Sequence, residues 1–80
     1  MQKEITEMVI KVTSFIPYLE NISSEYHLNE QLTIEQFVNS LGIGWDDDVL
    51  VVVNRAIVTE RKIKLNDGDQ VELLIPLSGG

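Results

Sequence analysis

Polar and apolar positions alternate along Met8-Val9-Ile10-Lys11-Val12-Thr13-Ser14-Phe15, a run rich in β-branched and aromatic residues. That period of two predicts a first strand with one buried face. Pro17 ends it, since proline lacks an amide donor. Tyr18 to Ser24 mix apolar with turn-forming residues and read as a connection into a second strand near Glu25–Glu30. Tyr26 and Leu28 then share its inner face and His27 points outward. The period changes at Leu32-Thr33-Ile34-Glu35-Gln36-Phe37-Val38-Asn39-Ser40-Leu41-Gly42. Thr33 and Gln36 have the spacing of a capping box, Leu32 is placed to staple onto Phe37, and Ile34, Phe37, Val38 and Leu41 form one helical stripe. Gly42 is the expected stop.

Beyond the helix, Val49-Leu50-Val51-Val52-Val53 is a continuous β-branched run typical of a central strand. Asn54-Arg55 reads as a two-residue hairpin turn into a short strand, Ala56-Ile57-Val58. Lys62 to Leu65 lead to the turn residues Asn66-Asp67-Gly68-Asp69, which open a last strand, Gln70-Val71-Glu72-Leu73-Leu74-Ile75, stopped by Pro76. Strand, strand, helix, strand, short strand, strand is an α+β order: one mixed sheet of four to five strands with a single main helix across one face. Parity puts Val71, Leu73 and Ile75 toward the helix and Leu74 outward; Val51 and Val53 face in and Val52 out.

Eighty residues make one small domain, which buries about 60% of the surface its unfolded chain exposes. Residues 1–7 read as a flexible leader, 8–75 as the domain and 76–80 as an exposed tail. Thirteen acidic residues against six basic ones give a net charge of -7, which argues against general nucleic-acid binding and fits equally a basic protein partner or an acidity that only aids solubility. There is no cysteine, so the chain has no disulfide and no thiol nucleophile of its own. No apolar run approaches the roughly 20 residues that span a bilayer, and the first residues lack the apolar core of a signal peptide. A cytoplasmic location without membrane contact is expected.

Few residues offer chemistry. Asp46-Asp47-Asp48 are consecutive, whereas calcium loops place ligands at alternate positions, so the expectation is a solvated turn rather than a metal site. His27 has no second histidine to work with and reads as a surface residue. Trp45 reads as a lid on the open end of the core. Neither a paired-carboxylate cleft nor a phosphate loop is present, so the chain is not expected to be an enzyme by itself. What stands out is Pro76-Leu77-Ser78-Gly79-Gly80: two glycines without β-carbons can thread a channel barely wider than the main chain.

Val51-Val52-Val53-Asn54, the segment Leu65 to Glu72, and Pro76 to Gly80 together resemble the ubiquitin-like β-grasp sulfur carriers. That family includes the small subunit of molybdopterin synthase and the thiamine-pathway carrier. The resemblance covers Met8 to Gly80 and implies a β-grasp fold. The proline-led ending and the short link from Ile57-Val58 to Asp67-Gly68 look more like the molybdopterin synthase subunit; Arg55 stands where the hairpin turn of that family often has glycine. The nearest alternative is a thiazole-forming thiamine carrier, and another is a protein modifier joined to target lysines through Gly80.

The resemblance further implies that Gly80 is adenylated and then converted to a thiocarboxylate, with Pro76, Leu77, Ser78 and Gly79 threading a partner's active site. No cofactor is expected to bind; ATP is used by the activating partner. The implied partners are an adenylyltransferase resembling the ubiquitin-activating enzymes, a sulfur donor of cysteine desulfurase or rhodanese type, and a sulfur-accepting synthase such as the molybdopterin synthase large subunit. Val52 and Leu74, outward on neighbouring strands, are the expected docking patch, and Val52→Asp is expected to weaken docking without unfolding the domain.

Overall fold

The computed structural model describes residues 7–17, 19, 21–46 and 48–75. Its elements follow the expected order: β1 (Met8–Ser14), β2 (Glu25–Leu28), α1 (Ile34–Ser40), β3 (Leu50–Val53), β4 (Ala56–Ile57) and β5 (Gln70–Leu74). The five strands form one mixed sheet in the order β2-β1-β5-β3-β4. β1 and β5 run parallel at its centre; the other neighbours are antiparallel. Each strand is slightly shorter than its sequence run. Phe15 and Val58 lie one residue past β1 and β4, each still donating its amide to a neighbouring strand, at Leu73 and Val51; Val49 donates to the Asp46 carbonyl, and Asn29 and Glu30 lie beyond β2.

α1 begins as its local residues dictate. The Gln36 amide donates to Thr33 Oγ1 (3.1 Å) and the Thr33 amide donates to Gln36 Oε1 (2.9 Å), so each fills a position a bare helix end leaves open. The remaining first-turn donors reach the segment before β5: Ile34 N–H to the Ile63 carbonyl (2.8 Å) and Glu35 N–H to the Arg61 carbonyl (3.1 Å). Residues 61–65 thus serve as a backbone cap. Gly42, at φ +82°, ends the helix in the left-handed region that glycine reaches without strain.

The core lies between α1 and the inner sheet face. Ile34, Phe37 and Val38 are fully buried against Ile10, Val51 and Leu73. Tyr26 meets the Phe37 ring edge-on, with centroids 5.6 Å apart. Leu41 completes the stripe only in part, being half-buried. Among the described residues, no helix is long and apolar enough to cross a membrane.

Candidate functional site

β5 connects two unlike ends of the domain. At its start, Asn66 to Gln70 are held by side chains from three directions. Asp67 Oδ1 accepts the Val9 amide (2.7 Å), which fastens the turn to β1. Asp69 accepts twice, from the Asn66 amide at Oδ2 (2.8 Å) and from Asn54 Nδ2 at Oδ1 (2.9 Å), while Asn54 Oδ1 accepts the Gln70 amide (3.0 Å). Asn54 and Arg55 both have positive φ, 52° and 72°, as a type I′ hairpin turn requires. The Asn54 side chain therefore ties that turn to the start of β5.

At the other end the exposed groups are apolar. The outer face can be followed row by row from the register. Leu50 pairs with Leu74, and Phe15, which follows Ser14 opposite Leu73, extends this row onto the β1 side. Phe15 also donates its amide to the Leu73 carbonyl (2.8 Å). The next row is Thr13, Glu72, Val52 and Ile57. Phe15 is 56% exposed and Ile57 62%; Leu50 and Leu74 are half-buried. This end of β5 leads into residues 76–80, so Pro76, Leu77, Ser78, Gly79 and Gly80 lie outside the described residues.

Two expectations on this face need correction. Val52 points outward by register but is only 8% exposed, because it sits inside the sheet with Glu72 and Ile57 as row neighbours on either side. It forms the floor of this face rather than its exposed surface, and Val52→Asp would cost stability. Ile75 was expected to pack toward the helix but is 37% exposed, since β5 stops at Leu74 and Ile75 lies past the last sheet pairing. Leu74 is on the outer face as expected. Phe15 and Ile57 are exposed apolar residues of this face that the sequence reading does not single out. Phe15 was available from the outward parity of Lys11 and Thr13; Ile57 depended on a two-residue strand whose face only the pairing reveals.

The remaining candidates are structural or local. Trp45 is half-buried against the core, and the Arg61 guanidinium lies 4.6 Å from its ring centre, a cation–π contact that closes this edge of the domain as a lid would. Beside it, Trp45, Leu50, Ile57 and Arg61 help line a shallow groove of about 290 Å³. Asp46 accepts the Asp48 amide (2.9 Å) in a tight turn, and Asp47 lies outside the described residues. His27 is exposed between two carboxylates, with Nδ1 2.7 Å from Glu7 and Nε2 3.6 Å from Glu25. The hydrogen bond to Glu7 holds its pKa above the ordinary histidine value, aided by the charges of both glutamates.

The model of the ThiS family matches residues 12–80. The chain belongs to the ThiS family, one of β-grasp sulfur carriers. Its match takes in β1 from Val12, every later element and the segment after β5. Solved structures share the fold of this ThiS-family chain at low identity. A thiamine biosynthesis protein from Geobacter metallireducens is 20% identical, covering 91% of this chain and 100% of that one, with a TM-score of 0.67. The HVO 2177 protein of Haloferax volcanii is 19% identical over 100% of this chain and 93% of that one, at 0.73. A chain from the complex of subunits 1 and 2 of molybdopterin-converting factor from Helicobacter pylori 26695 is 22% identical, covering 91% of this chain and 100% of that one, at 0.63. No curated protein matches the sequence significantly.

Proposed function

We propose that this protein carries sulfur on the carboxylate of Gly80 for the synthesis of a small-molecule cofactor. The observation that carries the reading is the ThiS-family match, which extends through Gly79 and Gly80. A carboxylate is a poor electrophile, so an activating partner is required. In that partner the Gly80 carboxylate attacks the α-phosphate of ATP, pyrophosphate leaves, and an acyl-adenylate forms. The outer sulfur of a persulfide on a sulfur-donor protein then attacks the acyl carbon and displaces AMP. Cleavage of the resulting sulfur–sulfur bond by a thiol leaves the thiocarboxylate. This chain, which has no cysteine, contributes the reacting atoms and the docking surface while its partners contribute catalysis.

The apolar outer face beside the end of β5 supports this division. A partner seated on Phe15, Leu50, Leu74 and Ile57 covers the face beside Leu74 and Ile75, the residues from which the chain continues to Gly80. For the acceptor, the Pro76-led ending and the short link from Ile57 to Gly68 favour molybdopterin synthesis, with a large synthase subunit as the consuming partner. The Geobacter neighbour, a thiamine biosynthesis protein, favours thiazole formation as the second reading. Supplying thiocarboxylated protein separately to a molybdopterin synthase large subunit and to a thiazole synthase decides between them by which one forms product.

Gly79→Val tests the threading. A branched side chain in a narrow channel is expected to abolish adenylation, read as ATP–pyrophosphate exchange, while the melting temperature stays unchanged. Undiminished exchange would contradict the proposal.

A further inference from the structure

Glu72 occupies an unusual place for a charged residue. It lies mid-sheet on the outer face, half-buried, with Val52 and then Ile57 on one side and Thr13 on the other. The adjacent row, Phe15, Leu74 and Leu50, is wholly apolar. Among the described residues the ion pairs within 4.0 Å are His27 with Glu7, His27 with Glu25, and Arg61 with Glu35. Glu72 is in none of them. Lys11, one row away on β1 opposite Gln70, does not approach it that closely.

We infer that Glu72 selects the partner of this face: the occupant is a protein surface whose apolar side chains cover Phe15, Leu74 and Ile57 and which sets an arginine or lysine against the Glu72 carboxylate. The inference rests on the docking role proposed above and adds the chemistry of what docks. Any partner that seats on the apolar rows strips water from Glu72. A carboxylate buried without a counter-charge is strongly unfavourable, so a purely apolar partner is rejected and one with a placed cation is accepted. Arginine suits the position best, since its planar fork can pair with both carboxylate oxygens. The net charge of -7 acts in the same direction by drawing cationic surfaces toward the domain.

The test is steady-state adenylation by the activating partner, with this protein as the varied substrate. Glu72→Gln keeps the shape and removes the charge; it is expected to raise KM about tenfold with kcat unchanged, and Glu72→Arg about a hundredfold. Exchanging the partner's facing arginine or lysine for glutamate is expected to restore the Glu72→Arg protein. Glu30→Gln, which removes the same charge from an exposed site after β2, is expected to leave KM within about twofold, since rim charges act weakly. Trp45 fluorescence melting checks that each variant folds. An unchanged KM for Glu72→Gln, or an equal rise for Glu30→Gln, overturns the inference while leaving the carrier reading intact. Failure of the wild-type protein to be adenylated sinks the carrier reading first and this inference with it.

Discussion

The two ends of β5 are built from opposite materials. At the start, Asp67, Asp69 and Asn54 spend their polar atoms on backbone amides and on each other, joining β1, the β3–β4 turn and β5. At the finish, Phe15 and Ile75, with Ile57 one row back, expose apolar surface around the last residues of β5. Hydrogen bonds to a charged acceptor stabilise by about 1.5–3 kcal/mol when shielded and by less when solvated. Exposed apolar groups contribute little to folding and much to association. With the proposed docking role, stability is concentrated where the strand begins and recognition where it ends, so mutations at the two ends should fail in different assays.

The largest expected effect is on docking. Phe15→Ala should weaken binding of the activating partner by about 2 kcal/mol, close to thirtyfold, as loss of a central aromatic contact does. Its folding stability should move by no more than about 0.5 kcal/mol, because the ring is more than half exposed. Titration by calorimetry and urea unfolding separate the two; a large stability loss with docking intact would reverse the roles assigned to the two ends. Asp69→Ala should do the opposite, lowering stability by about 1–2 kcal/mol through the lost Asn54 and Asn66 bonds, with docking unchanged once the protein is folded. Arg55→Gly should raise stability by about 1 kcal/mol, because a non-glycine residue at φ 72° is strained. An unfolding midpoint that does not rise would show that Arg55 makes a compensating contact.

The smallest effect concerns His27. Its folded-state pKa is raised by the Glu7 hydrogen bond, so its stabilising contribution is complete below the ordinary histidine value of about 6.5 and is lost as pH rises through the higher native value. An NMR titration of the ring should show that raised midpoint, and Glu7→Gln should move it back down. A midpoint indifferent to Glu7→Gln would remove that cause.

What could be read from the sequence follows the range of the interactions. The α1 cap was legible because Thr33 and Gln36 are three residues apart and their exchange of hydrogen bonds is local. The inward positions Val51, Val71 and Leu73 were legible because strand parity is local too. Asp69 was recognised only as part of a turn, since its partner Asn54 is fifteen residues earlier and meets it only once β3 and β5 pair. The same holds on the outer face. That Phe15 joins Leu74 depends on the parallel β1–β5 register, which brings together segments nearly sixty residues apart, and that Val52 is covered by Glu72 and Ile57 depends on the β3–β5 and β3–β4 pairings. Ile75 departs from strand parity for a different reason: it lies one residue past the last pairing of β5, where the sheet no longer sets which way a side chain faces.

The most direct test of the central claim is the intact mass of the protein after incubation with its activating partner, ATP and a persulfide donor. The account predicts a gain equal to the exchange of one oxygen for one sulfur, located on Gly80 by fragmentation and absent from a Gly80-deleted protein. An unchanged mass in the presence of a partner shown to be active, or the same gain without Gly80, would contradict it.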